Sequence, residues 1–402
     1  MKFLVAHIGA RRAYAVPAIL EKAGLLDRFY TDFCLGKGCG NLVWNARHIF
    51  PPFREISGRR LPASLRSKTR TFDTEFIRYL LVKGYAKTDA FDAFAARLGN
   101  QMVRAGLGHA THFYSMMGEV TPLLIEAHKS GLTTITEIFI LLSAYKKIDA
   151  ECAKFPGVET STTASWRDNL HRWLNKVLGA TALAVAPANR VAEDLVSEFG
   201  FPSDRIAVVP YAADEEWFSL HNQPEPGRIF FAGTVSLRKG IQYLGLAAAQ
   251  IDSKNLQFRV AGNVEQTLSS HPMMRRLEFL GRLSRQDMAR EFEKCDLFVL
   301  PTLAEGSAEV VYQAMAAGVP VITTYAAGSV IRHGVDGWIV PEGDAEALRQ
   351  AILQLREDRP LRNSLARAAK ARATDFTWPR YGERLLAALN RPIAATSLIR
   401  GL

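Results

Sequence analysis

The sequence predicts an α/β protein built from two doubly wound parallel sheets in tandem. Its 402 residues are 48% hydrophobic, enough for a large core and too long for one ordinary domain. Short apolar runs alternate with helical segments, which favours parallel sheets covered by helices on both faces. A polar, proline-containing stretch at 214–227 interrupts this alternation. We therefore predict domains at 1–213 and 228–375, joined by this linker, and a helical tail at 376–402 that packs back on the first domain.

The first predicted domain opens as an α/β unit does. The apolar run KFLVAHIG ends in a glycine and precedes a helix at 16–22. Further strands are predicted at 110–114, 132–136, 182–186 and 206–209, and further helices at 121–129 and 189–199.

The second predicted domain repeats the pattern. Its strands are RIFFAG, LQFRVAG, FLG, LFVLP, VPVITT and GWIV, and its helices lie at 241–250, around 286–294 and in AEVVYQAMAA. The stretch 310–331 carries no formal charge, but Gly318 and Pro320 divide it into a helix and a β-branched strand, so we do not interpret it as a membrane span. Folds of this kind bind ligands beyond the carboxyl ends of their strands, so we expect a site in a cleft between the two sheets.

Basic residues are concentrated near the start of the chain. The formal net charge is +10, and residues 1–100 hold 17 basic against 8 acidic side chains. Six cations in one segment are interleaved with apolar residues: Arg54, Arg59, Arg60, Arg66, Lys68 and Arg70. Such a segment is typical of a surface that lies on an anionic membrane, and equally of a solvated basic loop. No aromatic-basic recognition motif accompanies the charge, so we expect no nucleic-acid partner.

The cysteines and acidic residues indicate no metal site. The four cysteines form no Cys-x-x-Cys pair, so neither zinc nor a disulfide framework is indicated. No Asp-x-Asp pair ends a predicted strand, so we expect no metal-held diphosphate and no cofactor. The N-terminal MKFLVAHIGARR has the reverse of a signal peptide's charge order. We expect a cytoplasmic protein that can associate peripherally with the inner face of the membrane.

A doubly cationic loop follows the first strand of the second domain. In FAGTVSLRKG, the strand ends at Gly233 and the loop carries Arg238 and Lys239 to the next helix. A glycine lets a ligand approach the backbone, and cations beside a helix N-terminus favour a phosphate. This lysine loop (233–240) therefore indicates a phosphate site, although a solvated loop with two surface cations would have the same composition.

A second loop combines an acid with a helix start. In LFVLPTLAEGSAEVVYQAMAAG, a strand ends at Pro301, the loop presents Glu305 and Gly306, and we predict that a helix begins near Ser307. Free amides at the helix start can bind an anion, and Glu305 can accept hydrogen bonds from hydroxyl groups. Gln313 lies eight residues after Glu305, about two helical turns away on roughly the same face. Ordinary first-turn acids that favour the helix dipole would give the same pattern.

Together, the two loops resemble the nucleotide-sugar half of the family 4 retaining glycosyltransferases of the GT-B fold. That family has a phosphate-binding lysine loop and two motif glutamates separated by seven residues. APANRVAEDLVSEFGFPSDRIAVVPYAAD is similar to the approach to the family's interdomain linker, and AAGSVIRHGVDGWIVPEGDAEAL to its closing strand and loop. Several motifs in the same order are more specific than any one of them. The resemblance implies two Rossmann-like domains that face each other across a cleft.

The resemblance also implies roles for individual residues. Lys239 matches the lysine that binds the donor diphosphate, Glu305 the first glutamate, which contacts the donor sugar, and Gln313 the second, which binds ribose hydroxyls. The other implied donor-binding positions are Gly9 at the leaving phosphate, Gly233 and Arg238 in the lysine loop, Gly281 and Arg282 at the base, Gly306, and the helix-start amides of Ser307, Ala308, Glu309 and Val310.

Four positions depart from the family pattern. Thr234 stands where the family has an arginine, so only Arg238 can supply a second cation from this loop. Gln313 keeps an acceptor but lacks the charge of the second glutamate. Ala308 replaces a usual glycine, and Glu309 places a carboxylate near the anion site. A catalytically inactive scaffold is therefore an alternative.

The first domain offers fewer candidates. Glu137 ends a predicted strand, is expected to point into the cleft and could orient an acceptor, or it could cap a helix. Arg11 and Arg12 follow Gly9 and could meet a phosphate, an anionic acceptor or only solvent. His112 is a candidate for the histidine that family members carry near the sugar, and an internal strand histidine is the simpler interpretation.

These residues and the resemblance predict a metal-independent retaining glycosyltransferase. It would move a sugar from a nucleotide diphosphate donor to a glycan or lipid-linked acceptor in cell-surface polysaccharide or glycolipid synthesis. Lys239, Glu305 and Glu137 are the predicted catalytic residues. The alternatives are a nucleotide-sugar epimerase of the same fold and an inactive GT-B scaffold.

Overall fold

The computed structural model describes residues 1–40, 57–83, 90–252 and 255–392. The predicted membrane cation Arg54 and the end of the predicted C-terminal tail lie outside these ranges.

Seven parallel strands form the first sheet, in the order β3-β2-β1-β4-β5-β6-β7. The strands are β1 Phe3–His7, β2 Leu26–Thr31, β3 Thr69–Thr71, β4 His112–Met116, β5 Thr133–Glu137, β6 Leu183–Ala186 and β7 Ile206–Val208. The helices between them are α1 Ala15–Lys22, α2 Asp73–Lys83, α3 Ala90–Ala105, α4 Thr121–Lys129, α5 Ala144–Lys154, α6 Ala164–Gly179 and α7 Asn189–Phe199. The strand order reverses between β1 and β4, so the loops after these two strands open a crevice at the carboxyl edge.

Six parallel strands form the second sheet, in the order β10-β9-β8-β11-β12-β13. The strands are β8 Arg228–Ala232, β9 Gln257–Ala261, β10 Leu277–Gly281, β11 Leu297–Leu300, β12 Val321–Thr324 and β13 Trp338–Val340. The helices of this half are α8 Glu215–Phe218, α9 Ile241–Ala249, α10 Gln266–Ser269, α11 Arg285–Lys294, α12 Glu309–Ala316, α13 Ala345–Glu357, α14 Arg359–Ala373 and α15 Trp378–Leu389. Here the order reverses between β8 and β11, the two strands that precede the lysine loop and Glu305.

The α/β class and the two tandem sheets are confirmed. Central strands such as β1 and β11 are buried along their whole length, because helices cover both faces of each sheet. Helices α4 and α7 have the predicted bounds. Strand β2 has no predicted counterpart, because its sequence LDRFYT carries two charges that interrupt the apolar run.

The C-terminal helix returns to the first domain. The amide of Ala213 donates to the carbonyl of Phe376 at 2.9 Å, just before α15 begins. Helix α15 then packs on α1, where Gly382 lies against Ile19. The two domains are therefore joined at the linker and again by this helix.

The structure was also searched for membrane spans. Among the described residues, no helix is both long enough and apolar enough to cross a bilayer.

Candidate active site

A cavity of about 450 Å³ lies where loops at the carboxyl edges of both sheets meet. Most of the predicted donor residues line it: Gly233, Lys239, Arg282, Glu305, Ser307, Ala308, Glu309, Val310 and Gln313. The first domain contributes Arg11, Arg12, Met116, Phe139 and Tyr211. Five predicted site residues are absent from the lining: Gly9, Arg238, Gly281, Gly306 and Glu137.

Bare backbone forms one wall of the cavity. The amide of Gly233 donates to the carbonyl of Ala261 at 3.0 Å, at the end of β9. A Cβ at Gly262 would lie 1.7 Å from the Gly233 carbonyl oxygen, so only glycine fits there. The amide of Gly262 donates in turn to the Gly281 carbonyl at 2.9 Å. Gly262 was missing from the predicted site, although LQFRVAG ends in the same Ala-Gly pair as RIFFAG.

The lysine loop and the loop after β11 form one unit. Gly240 has a φ of +74°, and a Cβ there would lie 1.8 Å from the carbonyl oxygen of Pro301. The amide of Leu303 donates to the carbonyl of Arg238 at 2.8 Å. This backbone contact brings Lys239 to Glu305.

Glu305 forms ion pairs with both cations of the lysine loop. It accepts a hydrogen bond from Lys239 Nζ and another, of 2.9 Å, from Arg238 Nη1. Burial alone would raise the pKa of Glu305, but the charges of Lys239 and Arg238 outweigh it and lower that pKa. Burial also lowers the pKa of Lys239, although the Glu305 charge opposes this. An incoming anion must therefore compete with Glu305 for Lys239.

Arg238 does not line the cavity. Besides its bond to Glu305, its Nη1 donates to the carbonyl of Ala304 at 2.7 Å. It therefore holds the loop after β11 and is absent from the cavity lining.

Helix α12 begins two residues later than predicted. The Ser307 hydroxyl donates to the Gly328 carbonyl at 2.9 Å, and the amide of Ala308 donates to the Ala327 carbonyl at 3.0 Å. These bonds to the loop after β12 keep 307–308 out of the helix, which begins at Glu309, two residues after the predicted start near Ser307. The first-turn amides, which have no acceptor within a helix, begin at Glu309.

Gly306 allows the two domains to approach each other. A Cβ at this position would lie 1.8 Å from the carbonyl oxygen of Phe139, in the loop after β5. A Cβ at Gly328 would likewise lie 2.1 Å from the Gly306 carbonyl oxygen. Gly306 therefore contacts the backbone of the opposite domain.

A left-handed turn carries two arginines from the first domain into the cleft. Arg12, Ala13 and Tyr14 have φ values of 45°, 51° and 64° in succession. The left-handed conformation costs an L-residue about 1–2 kcal/mol, and such strain concentrates at functional sites. Tyr14 anchors the turn, because its ring is fully buried and its hydroxyl donates to the carbonyl of Arg59 at 3.0 Å. The sequence gives no sign of this turn, since it contains no glycine.

Arg12 bridges the two domains. Its Nη1 donates to Glu137 at 2.6 Å and its Nε donates to Glu309 of α12 at 3.0 Å. Its guanidinium carbon lies 3.5 Å from the centre of the Tyr211 ring. The side chain is 9% exposed and lines the cavity.

Glu137 is enclosed and does not reach the cleft. It is 1% exposed and accepts hydrogen bonds from Tyr114 at 2.6 Å and Tyr211 at 2.8 Å as well as from Arg12. Burial would raise the pKa of Glu137, but the Arg12 charge and these hydrogen bonds hold it below its usual range. The expectation that Glu137 points into the cleft is therefore wrong, and the residue fixes Arg12 instead.

Two further buried acids hold the loop after β1. The amide of Gly9 donates to Asp32 at 2.8 Å, and Arg59 pairs with the same carboxylate at 2.7 Å. Glu119 pairs with Arg11 at 2.7 Å, and burial raises the pKa of Glu119 to about 7. The Gly9 amide is thus already bonded. Asp32 and Glu119 were missing from the predicted site. Their positions after β2 and β4, at the ends of strands, could have indicated that they lie near the cleft.

His112 lies at the first residue of β4. This is the amino edge of the sheet, opposite the cavity, so the structure does not bring it to the site. Within the described ranges, no group of three or more His, Cys, Asp or Glu residues is arranged to hold a metal ion.

Comparison with known families identifies the half that holds both loops. Residues 226–358 match the family model described as "Glycosyl transferases group 1". The second domain is a group 1 glycosyltransferase domain. The lysine loop, Glu305 and Gln313 all lie within this glycosyltransferase domain.

Two similar proteins are glycosyltransferases. The amylovoran biosynthesis glycosyltransferase AmsK of Erwinia amylovora is 25% identical over 189 residues, 42% of this chain and 46% of that protein. A D-inositol 3-phosphate glycosyltransferase of Pseudarthrobacter chlorophenolicus is 26% identical over 230 residues, 51% of this chain and 55% of that protein. The chain thus aligns with about half the length of these curated relatives.

The likeness in structure extends over both domains. Anabaena Alr3699/HepE, solved in complex with UDP and glucose, is 15% identical and superposes with a TM-score of 0.64. The match covers 97% of this chain and 99% of that one. The glycosyltransferase domain and the domain before it therefore adopt the GT-B fold together.

Proposed function

We propose that the protein is a retaining glycosyltransferase that uses a nucleotide diphosphate sugar as donor. The acceptor is a glycan or a lipid-linked sugar in cell-surface polysaccharide or glycolipid synthesis. The observation that carries the proposal is the convergence of the lysine loop and Glu305 on one cavity of a glycosyltransferase domain. The name of AmsK, a relative in amylovoran biosynthesis, supports the acceptor class.

The cavity offers a group for each part of the donor. Its volume of about 450 Å³ lies within the range of small-ligand sites, about 300–1,000 Å³. Lys239 and the amides of Glu309 and Val310 suit a diphosphate, and Gln313, one turn further along α12, suits ribose hydroxyls. Arg282 lies at the side of the cavity proposed for the base. HepE, which shares the fold, was solved with UDP and glucose.

The reaction we propose needs no protein-bound metal. Lys239 and the dipole of α12 would stabilise the departing diphosphate. One cation at about 4 Å from an anionic group contributes on the order of 4 kcal/mol at an effective dielectric of about 20, before desolvation is subtracted. The acceptor hydroxyl would attack from the face that the diphosphate leaves and pass its proton to a phosphate oxygen. Glu305, released from Lys239 by the donor, would bind the sugar.

Calorimetry with UDP, GDP, ADP and their common sugar conjugates tests the donor site. We expect one nucleotide to bind without metal, and Lys239→Ala to weaken its binding by about 100-fold or more. The matched control is Lys294→Ala, which removes an exposed pair with Glu225. If the wild-type protein bound no nucleotide, the inactive-scaffold alternative would replace this proposal. Release of a free sugar without acceptor would favour an epimerase.

We also propose that the first domain rests on an anionic membrane surface. Exposed apolar side chains cluster on α2 and at the start of α3: Ile77, Leu80, Leu81 and Phe91, of which Leu81 is 70% exposed. The cations Arg70 and Arg78 are exposed nearby. Apolar residues flanked by cations favour an anionic bilayer surface.

This surface differs from the basic segment that the sequence predicted. Arg59 pairs with the buried Asp32, and Lys68 pairs with Glu21 at 2.6 Å. These two cations hold the first domain together and are not available to lipid as simple surface charges.

Flotation of the full chain with vesicles tests the membrane proposal. We expect binding to vesicles that contain anionic phospholipid and loss of that binding in Leu80→Ser/Leu81→Ser. Val335→Ser, which changes an exposed apolar residue of the second domain, serves as the control. Unchanged flotation of the double variant would contradict the proposal.

A further inference from the structure

We propose that Arg12 is the second cation that binds the donor diphosphate, and that Glu309 holds its guanidinium in place until the donor arrives. The inference rests on the proposed function, because it assigns further residues to the same donor site. It concerns an ion pair between the two domains.

The cavity needs a cation that the lysine loop does not supply. Thr234 directly follows Gly233 and carries no charge. Arg238 is committed to Glu305 and to the carbonyl of Ala304. Lys239 is thus the cation that this loop presents to the cavity. A diphosphate carries more negative charge than one lysine neutralises.

Arg12 reaches the same cavity from the opposite side. Its guanidinium is fixed by Glu137 at 2.6 Å and by stacking on Tyr211 at 3.5 Å. Of its donors, Nε points to α12, where it meets Glu309 at 3.0 Å. The left-handed turn and the buried Glu137 therefore present a preorganised guanidinium to the first turn of the helix.

Glu309 occupies the position that an anion would take. Its carboxylate is 45% exposed, and it stands at the first turn of α12, where the helix dipole favours negative charge. Arg12 and the first turn of the helix hold it on one side and solvent lies on the other. A phosphate oxygen at the helix start would be attracted by both Arg12 and the helix dipole, and the 45%-exposed carboxylate of Glu309 can turn out to solvent.

The exchange would also replace one link between the two domains with another. Arg12 belongs to the first domain and Glu309 to the second, so their ion pair joins the two domains. With the donor in place, the diphosphate bridges Arg12 and Lys239 in the same way. The link between the two domains is then kept, and an anion that binds weakly does not displace Glu309 from Arg12.

Titration of Glu309→Gln with inorganic pyrophosphate and with the nucleotide that binds best tests the exchange. We expect about three- to tenfold tighter binding of both, because the competing charge and its repulsion are removed. Glu342→Gln is the matched control, because it breaks another interdomain pair, with Lys147 at 2.9 Å, away from the cavity. It should leave both affinities unchanged.

The same titration of Arg12→Lys and Arg12→Gln completes the test. We expect Arg12→Gln to weaken pyrophosphate and nucleotide binding by about tenfold, and Arg12→Lys, which keeps the charge, to lose less. Circular dichroism would show whether each variant folds. If Arg12→Gln does not fold, Glu309→Gln still tests the exchange, because Glu309 is partly exposed.

The outcomes separate this inference from the proposed function. If the wild-type protein binds a nucleotide and Lys239→Ala abolishes that binding, the donor site stands. Unchanged or weaker binding by Glu309→Gln would then overturn the exchange alone. If neither pyrophosphate nor any nucleotide binds the wild-type protein, both proposals fail together.

Discussion

The two sides of the cleft are built in different ways. In the second domain, most of the residues that line the cavity come from two short contiguous segments, after β8 and after β11. In the first domain, Arg12, Asp32, Glu119 and Glu137 follow or end four different strands and meet only because the sheet brings the carboxyl ends together. Local motifs can be recognised in a single sequence, whereas such a scattered cluster cannot.

The two sides also differ in what their charges do. The first-domain acids are buried and bonded to backbone amides, tyrosines and arginines. Glu305, on the second-domain side, lines the cavity and has its partners at the edge of that space. We therefore expect substitution of the buried first-domain acids to reduce stability, and substitution of Lys239 or Gln313 in the second domain to reduce ligand affinity.

The largest expected effect is on stability. Glu137→Ala removes the buried partner of Arg12 and leaves the hydroxyls of Tyr114 and Tyr211 without their acceptor. Breaking a buried ion pair from one side costs about 3–5 kcal/mol. We expect a loss of this size in the free energy of unfolding, measured by urea denaturation.

Glu305→Ala provides the matched comparison for that experiment. It removes a carboxylate that also binds two cations, but Lys239 borders the cavity and the Arg238 side chain is 22% exposed, so both can be hydrated. We expect a smaller loss than for Glu137→Ala, about 1–3 kcal/mol. Equal losses for the two variants would show that Glu137 and Glu305 contribute alike to the free energy of unfolding, which would contradict the proposed difference between the two sides.

The second expected effect is on the pH dependence of stability and comes from His7, which packs against Tyr14 of the left-handed turn. His7, the last residue of β1, is buried, and neither ring nitrogen has a partner in the described part of the chain. Burial lowers the pKa of His7 from its ordinary 6.5 to about 4. The unfolded chain therefore binds a proton that the folded chain excludes. The contribution of neutral His7 to the free energy of unfolding is fully present above pH 6.5 and is lost as the pH falls towards 4.

His7→Phe should remove this loss. At about 1.4 kcal/mol per pKa unit, we expect the variant to gain up to about 3 kcal/mol relative to the wild-type protein between pH 6.5 and pH 4. Urea denaturation at several pH values measures the difference. If the two stability curves run parallel over this range, His7 does not exclude the proton as we infer.

The same contrast explains how much of the molecule the sequence predicts. Alternating apolar runs predict both sheets, because parallel strands are buried on both faces and stand out from polar loops. The sequence places Lys239 and Glu305 each in a loop after a strand, because each loop depends on a few neighbouring residues, but it does not predict their ion pair. Features that depend on long-range hydrogen bonds are not predicted. For example, the bonds of Ser307 and Ala308 to the loop after β12 delay the start of α12.

The failures on the first-domain side have one physical cause. The sequence places Glu137 at a strand end, which is correct, but its enclosure depends on Tyr114, Tyr211 and Arg12. Those partners lie 23, 74 and 125 residues away. The left-handed turn at Arg12 is likewise imposed by packing of Tyr14, against the local preference of all its residues.

The smallest expected effect is on the second-domain side, at the position where the family pattern has its second glutamate. Gln313 lines the cavity one turn beyond the start of α12. If it binds ribose hydroxyls, Gln313→Ala should weaken nucleoside diphosphate binding by about 1 kcal/mol, or about fivefold in the dissociation constant. Inorganic pyrophosphate has no ribose, so its affinity should stay the same and serves as the control within the variant. Equal weakening of both ligands would place Gln313 at the diphosphate instead, and the division of the cavity between phosphate and ribose would have to be redrawn along α12.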